Sequence, residues 1–402
     1  MISTKEFAEQ ARSFLLQHVP IRPASTKRGW GEGADEVVSV GSNEHDRPES
    51  REKVIAFRRL LFDNGYGWIS GPSEYGGMGL SLQHEEIFAD VLAEFNVPDQ
   101  GLFQVSRGMV SPAIVEHGTD DLKQRFLPGI HRGDIICSQL LSEPEAGSDL
   151  AGLRTTAVRD GDEWVVNGQK VWSSYAHIAH VGQLLARTDP SVPKHQGLTM
   201  FMLPLDTPGV EVRPLKQMNG HSEFNEVFFN DVRVPHANRV GEPGMGWRAI
   251  LTTLMNERHV VANRGGSTTV SPSERLFELA RHRGVTSDPI VRSHLTEVYL
   301  YDEIIRMLRL RQEAAVAAGH DLGPEGSITK LLYTTQLRRI GKVAGEILGP
   351  AMTADSGEWG TYAWSGFLTG APGLRIAGGT DEIQRNTISE RALGLPKEPS
   401  PK

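Results

Sequence analysis

The hydrophobic period of this chain changes twice, from helical to alternating and back, and that order restricts the fold more than any other feature. Up to residue 134 the apolar residues recur at helical spacing. Val54, Phe57, Leu60 and Leu61 predict a helix over Glu52–Asn64, and Ser81 opens another with Ile87, Phe88, Val91 and Leu92. The glycine cluster Gly71–Gly79 separates them, and residues 20–50, rich in Pro, Gly, Ser and charge, read as a long loop or a partly disordered segment. Over 135–240 alternation takes over. Asp160-Gly161 and Asn167-Gly168 read as two hairpin turns, which implies short antiparallel strands, and Leu198–Leu203 and Glu226–Val234 are further β stretches. Arg248–Asn263, Pro289–Ala318 and Ser327–Leu348 are long amphipathic segments that suit a helical bundle. The order helical, sheet, helical predicts an α+β fold, with domains at 1–134, 135–240 and 241–402, and not an alternating βαβ chain.

Composition removes several function classes. A chain of 402 residues is too long for one compact core. A net charge of −8 disfavours nucleic acid and anionic membranes as partners. No run of about 18 apolar residues is present to span a membrane. The N-terminus lacks the basic start and apolar run of a secretory signal, and the single cysteine, Cys137, rules out a disulfide within the chain, so a cytoplasmic location is expected. The 14 histidines are scattered, with His131 and His180 each alone, and neither HExxH nor CxxC occurs, so no metal site is expected. No GxGxxG follows a strand, which disfavours a Rossmann dinucleotide site.

Two segments carry chemistry: Leu141-Ser142-Glu143-Pro144-Glu145-Ala146-Gly147-Ser148-Asp149 and Asn167-Gly168-Gln169-Lys170-Val171-Trp172-Ser173-Ser174. The first reads as a strand end breaking into a tight turn that exposes backbone N–H groups and two hydroxyls. The second places an aromatic ring and two hydroxyls on a strand. A flat, polar, anionic ligand fits such a surface; the bland alternative is two well-formed turns and a core tryptophan.

These segments resemble the flavin-binding signatures of the acyl-CoA dehydrogenase family. Three others agree in order and spacing: Pro72–Gly79, Val234–Gly241, and Gly379-Thr380-Asp381-Glu382-Ile383-Gln384-Arg385. The resemblance implies an N-terminal helical domain, a middle β-sheet domain and a C-terminal four-helix bundle, with FAD between sheet and bundle. Carried over by position, it implies that Ser142 and Ser174 hydrogen-bond the flavin, Trp172 covers the ring, and Leu141 offers its backbone. Thr380, with Gly379 and Glu382 in the same segment, falls near the ribityl and pyrophosphate part. Ser148 falls near the acyl-pantetheine chain, and Leu102–Val110 lines part of the acyl pocket. The family often has Thr where this chain has Ser142 and Ser174; the hydroxyl is kept.

The family reaction takes an α-proton from an acyl-CoA thioester and passes the β-hydride to the flavin, so it needs a general base and a donor to the thioester carbonyl. In much of the family the base is a glutamate just before the C-terminal Gly-Thr. Here that position is Gly378, which offers only its backbone N–H. In other branches the glutamate sits on a helix of the C-terminal domain, and the matching residue is Glu257. Periodicity adds to this: Ile250, Leu254, Glu257 and Val261 form one helical stripe, and a carboxylate buried among apolar residues has its pKa raised by desolvation. The alternative for Glu257 is a structural ion pair with Arg258 or a distant lysine. Arg258 itself is expected to orient the loop or the substrate.

The segments that reach a neighbouring subunit's FAD in homotetrameric members are altered, at Ala280–Val285 and Gly345–Pro350, which leaves Arg281 or Arg283 as a candidate for the pyrophosphate. The C-terminal run ending Leu393-Gly394-Leu395-Pro396 resembles an actinobacterial branch that acts on bulky CoA esters such as steroid side chains. That implies a homotetramer or a heterotetramer with a related subunit, electron-transfer flavoprotein as electron acceptor, and a place in fatty acid or steroid side-chain catabolism. The competing expectations are a non-catalytic partner subunit, or a flavin monooxygenase, oxidase or desulfinase on the same scaffold.

Overall fold

In the computed structural model the described residues are 2–22, 30–32, 35–37, 45, 47–262, 271–318 and 323–397, so most of the 20–50 segment lies outside them. Contacts divide the chain into two compact units, with the boundary inside one helix, between Glu257 and Arg258.

In the first unit, helix α1 (Thr4–His18) starts at Ser3, whose hydroxyl accepts from Glu6 N, and buries Phe7, Ala11 and Leu15 at four-residue spacing. Helices α2 (Pro48–Asp63) and α3 (Leu82–Ala93) cover the two predicted segments. Phe57, Leu61, Phe88 and Val91 meet the α1 stripe in one core. Helix α4 (Ser111–His117) continues a helical turn over Ser106–Val110. Helix α5 (Asp120–Arg132) is capped by Thr119 and ends at Gly133, whose φ of 88° places it in the left-handed region that glycine occupies without strain.

His131, near the end of α5, is a core histidine. Its Nε2 lies 2.8 Å from Ser111 Oγ and its ring stacks on Trp68 at 3.7 Å. Burial, with the Arg107 and Arg58 guanidinium groups nearby, holds its pKa well below the usual 6.5. The unfolded chain therefore takes up a proton as pH falls through about 6.5 while the native chain does not, and stability is lost at up to about 1.4 kcal/mol per pH unit. We expect the urea midpoint to fall between pH 7 and pH 5.5, with a smaller fall in His131→Gln. An equal fall in that variant would assign the effect to other groups.

The sheet has eight strands: β1 (Cys137–Leu140), β2 (Thr156–Asp160), β3 (Glu163–Ser174), β4 (Val181–Arg187), β5 (Leu198–Pro204), β6 (Val210–Pro214), β7 (Phe224–Pro235) and β8 (Arg239–Val240). The order is β6-β7-β3-β2-β4-β5-β8, and β1 runs parallel to β4 off this path. Trp164, Val166, Leu184, Phe201, Val227, Val232 and Val234 fill its core.

Asp160-Gly161 is the β2–β3 hairpin turn, but Asn167-Gly168 is not a turn: β3 runs straight through it for 12 residues. The register against β7 slips there instead, from Val166↔Val232 to Gly168↔Phe229, which leaves the extra residue on β7. Asn167 clamps that bulge, donating from Nδ2 to Asp231 Oδ1 (3.0 Å) and accepting from Asp231 N (2.9 Å). Gly168 has φ 147°, and a Cβ there would lie 2.5 Å from Thr155 Oγ1. Asn-Gly tolerates a positive φ equally in a turn or a bulge, so the dipeptide alone could not tell them apart.

Helix α6 (Gly246–Ala262) follows the sheet, with side chains described as far as Glu257. It is fixed to the sheet by Gln183 of β4, whose Nε2 donates to Thr253 Oγ1 at 3.1 Å, and to α4 by His117 Nε2, 2.8 Å from Thr252 Oγ1.

The second unit holds α7 (Pro272–His282), α8 (Pro289–Ala317), α9 (Glu325–Leu348), α10 (Ala363–Ile376) and the short α11 (Asp381–Thr387). Helix α7 opens on a capping box of Ser271 and Glu274. Helix α9 packs on α7, α8 and α10, giving the four-helix bundle. Gln336 of α9 ties it to α8, donating to Val298 O (2.7 Å) and Asp302 Oδ1 (2.9 Å).

Candidate functional site

The turn after β1 is built around a buried carboxylate. Glu143 and Ala146 exchange two backbone hydrogen bonds, N to O at 3.0 and 3.1 Å, which closes the Glu143–Ala146 turn. The Glu143 side chain turns inward and accepts from Arg154 N (2.6 Å), Thr155 N (2.9 Å) and Lys170 Nζ (2.8 Å). Lys170 is fully buried and donates also to Leu141 O at 2.9 Å. Burial pushes the Glu143 carboxyl up, but Lys170 and the other donors outweigh it, so its pKa lies below the usual range. Lys170 has a single carboxylate to set against its own burial, and its pKa is pushed down to about 8. Leu141 and Ser142 are thus fixed from behind by an ion pair whose members stand in the two quoted segments. Sequence reasoning missed the pair, although one signal was present: a lysine at an inward-facing strand position.

The second segment meets the first directly, because Val171 N donates to Ser142 O at 2.9 Å. Here β3 carries the extra residue, with the register passing from Lys170↔Val227 to Ser173↔Asn225. Trp172 sits in this second bulge at φ 61°, a conformation that non-glycine residues rarely adopt. The bulge turns the indole outward, 60% exposed, edge-on to Phe224 at 6.0 Å. The core-tryptophan account is therefore wrong for Trp172: the inward position goes to Ser173. Ser174 is held at its carbonyl, which accepts from Ser138 Oγ at 2.8 Å. The hydroxyls of Ser142 and Ser174 make no hydrogen bond among the described residues and remain available to a ligand. An outward aromatic plane on a rigid bulge, with one available hydroxyl on the same strand and one on the adjoining turn, fits one face and edge of a flavin ring. Ser148 lies exposed in the loop that follows the turn.

Glu257 lies one turn beyond Thr253 on the same face of α6. Ile250 and Thr253 on that face are buried, while Leu254 and Glu257 are half-buried, so the carboxylate is less enclosed than the stripe suggested. The side chains of Arg258 and Val261 lie outside the described residues.

In the second unit, Gly378 and Gly379 have φ of 65° and 88°, and together they turn the chain out of α10. Gln384 Nε2 donates to Gly378 O at 2.8 Å and Lys330 Nζ to Gly379 O at 2.7 Å, which pins both carbonyls. The Gly378 N–H makes no hydrogen bond among the described residues. Thr380 caps α11 by accepting from Ile383 N, and Asp381 is held by Arg375 (2.7 Å) and Thr334 (3.0 Å). Glu382 is exposed and faces Arg385 at 3.6 Å. Arg283 pairs with Glu358 at 3.1 Å. Among the described residues no His, Cys, Asp and Glu cluster could hold a metal ion.

Three family models match the chain in sequence: acyl-CoA dehydrogenase N-terminal domain over residues 31–134, middle domain over 138–232 and C-terminal domain over 244–393. Acyl-CoA dehydrogenase IpdE1 of Mycobacterium tuberculosis is 36% identical over 399 residues, covering 99% of each chain. Acyl-CoA dehydrogenase FadE29 of the same organism is 34% identical, over 89% of this chain and 92% of its own. Among solved structures, the Tcur3481-Tcur3483 steroid ACAD superposes with a TM-score of 0.75 at 29% identity over 98% of both chains. A chain of the ChsE4-ChsE5 complex from Mycobacterium tuberculosis gives 0.70 at 29% identity over 99% of this chain and 100% of its own. Sheet, bundle and full-length similarity agree, and the chain belongs to the acyl-CoA dehydrogenase family.

Proposed function

We propose that the chain is an FAD-dependent acyl-CoA dehydrogenase that desaturates the α,β-bond of a CoA thioester with Glu257 as base. The observation that carries this reading is the face of α6: Thr253 is bonded to the sheet through Gln183, and Glu257 follows one turn later, half-buried on that face. Leu141, Ser142, Trp172 and Ser174 would hold the flavin ring, and Gly379, Thr380 and Glu382 the rest of the cofactor. When bound, FAD would supply the acceptor for the β-hydride. Glu257 takes the α-proton onto its carboxylate. The Gly378 N–H donates to the thioester carbonyl as negative charge develops there. Ser148 contacts the acyl-pantetheine chain, and Arg258 orients substrate. The functional division follows 1–134, 135–240 and 241–402.

We further assign electron-transfer flavoprotein as the acceptor of the electrons, and the cytoplasm as the location; no helix among the described residues is long and apolar enough to cross a membrane. The word steroid in the name of one structural relative supports a bulky acyl group. On α8, Tyr299, Leu300, Ile304, Met307 and Leu310 are exposed and share one broad stripe, which supports assembly with further subunits, identical or related.

The test is anaerobic titration of the purified yellow protein with a panel of acyl-CoAs. Bleaching of the flavin by a saturated ester is the expected result. Protein that carries no FAD would point to a non-catalytic partner subunit, and rapid oxygen consumption to an oxidase or monooxygenase.

A further inference from the structure

Two consecutive left-handed glycines are more than the end of a helix needs. One such glycine stops a helix and lets backbone groups close its last turn. After α10, Gly378 and Gly379 take φ of 65° and 88°, and among the described residues no backbone–backbone hydrogen bond involves either of them. Glycine occupies positive and negative φ about equally, so nothing local to the chain keeps the pair in this conformation.

What holds the pair comes from two other helices. Lys330 of α9 is 1% exposed and donates from Nζ to Gly379 O at 2.7 Å and to Arg375 O at 3.3 Å. Gln384 of α11 is fully buried and donates from Nε2 to Gly378 O at 2.8 Å and to Gly379 O at 3.1 Å. These bonds fix the Gln384 amide, because turning it over would set its oxygen against two carbonyls. The approach is close: a Cβ on Gly379 would lie 2.7 Å from Gln384 Nε2. A buried ammonium is ordinarily matched by a carboxylate. Here Asp381 stands 3.8 Å from Lys330 and already accepts from Arg375 and Thr334 at 2.7 and 3.0 Å, while the 2.7 Å bond of Lys330 goes to the turn. On the other side Ala377 N is bonded to Gly373 O at 2.9 Å. The Gly378 N–H thus stands between fixed groups and has no hydrogen bond of its own among the described residues.

We propose that Lys330 and Gln384 are positioning residues, which fix the Gly378–Gly379 turn so that the Gly378 N–H is aimed at the thioester carbonyl of the bound CoA ester. This rests on the reading of the chain as a dehydrogenase with Gly378 as carbonyl donor, and extends it to two residues that act through the turn. A preorganised donor loses its effect steeply when misplaced.

The test uses Lys330→Met and Gln384→Met, each loaded with FAD. Lys330→Met leaves Asp381 its bonds from Arg375 and Thr334, so no carboxylate is stranded, and Gln384→Met changes no charge. Anaerobic reduction by the acyl-CoA panel, counted per bound flavin, should slow about 10- to 100-fold in each variant, with kcat and kcat/KM falling together. 3-Thiaoctanoyl-CoA reads the donor directly. Its sulfur replaces the β-carbon, so the α-proton can leave but no β-hydride follows, and the enolate against oxidised flavin absorbs at long wavelength. The apparent pKa of that deprotonation should rise by about 1–2 units, the same factor. Hydrogen exchange at the Ala377, Ile383 and Gln384 amides, bonded within and beside the turn, should quicken in both variants. Rates per flavin and a thia-ester pKa equal to wild type would overturn the proposal. So would a raised KM at unchanged kcat, which would assign both residues to ground-state binding. Bleaching of the wild type by the panel tests the dehydrogenase reading on its own. Without bleaching that reading falls and the proposal with it, whereas bleaching with unaltered variants overturns the proposal alone.

Discussion

Replacing Glu257 by Gln should lower the rate of flavin reduction by an acyl-CoA by about 10²- to 10⁴-fold, the contribution typical of a positioned general base. The amide keeps the size and hydrogen-bonding reach of the side chain but cannot take the α-proton. No side chain stands ready at the alternative position used elsewhere in the family, because that position is Gly378. The effect should be confined to chemistry. Glu257 is on α6 and belongs to neither the Leu141–Ala146 turn nor the Trp172 bulge, so the variant should purify yellow with undiminished FAD content. Anaerobic stopped-flow mixing at the flavin absorbance band separates the two quantities. A reduction rate within tenfold of wild type would remove Glu257 from the mechanism, and loss of FAD would mean that it holds structure.

The second large effect is expected behind the proposed flavin surface. Lys170→Met leaves the Glu143 carboxylate buried with two backbone donors and no cation. Breaking a buried pair by removing one member costs about 3–5 kcal/mol. The bond from Lys170 to Leu141 O is lost in the same variant, so the turn bearing Leu141 and Ser142 loosens and the protein should purify with less than one FAD per chain. Removing both charges, as Lys170→Met with Glu143→Leu, should recover a large part of the stability, since no ion is then stranded. Urea unfolding measures the first expectation and the flavin-to-protein absorbance ratio the second. A Lys170→Met protein as stable as wild type would show that Glu143 is neutralised or solvated without its partner.

The candidate site was legible to different depths. The two quoted segments adjoin in the fold, Val171 N bonding to Ser142 O, and α6 and α9 fell within a few residues of where periodicity placed them. Glu257 could be selected because a carboxylate on an apolar stripe is conspicuous in one dimension. Lys170 and Glu143 stood in view, but 27 residues apart, and only the fold brings their side chains to 2.8 Å.

The sequence by itself determined the order of the layers, the family resemblance and the residue types of the proposed flavin surface, because these follow from local periodicity and contiguous motifs. Tertiary structure decided which way Trp172 points. Strand alternation is a parity rule, and a single inserted residue resets it. The pairing of β3 with β7 inserts one residue on β7 at Asp231 and one on β3 at Trp172, and both changes depend on a partner strand about 60 residues away. The same holds for the charges: whether Lys170 is paired depends on which side chains the packing of distant elements brings within reach, and no local pattern encodes that.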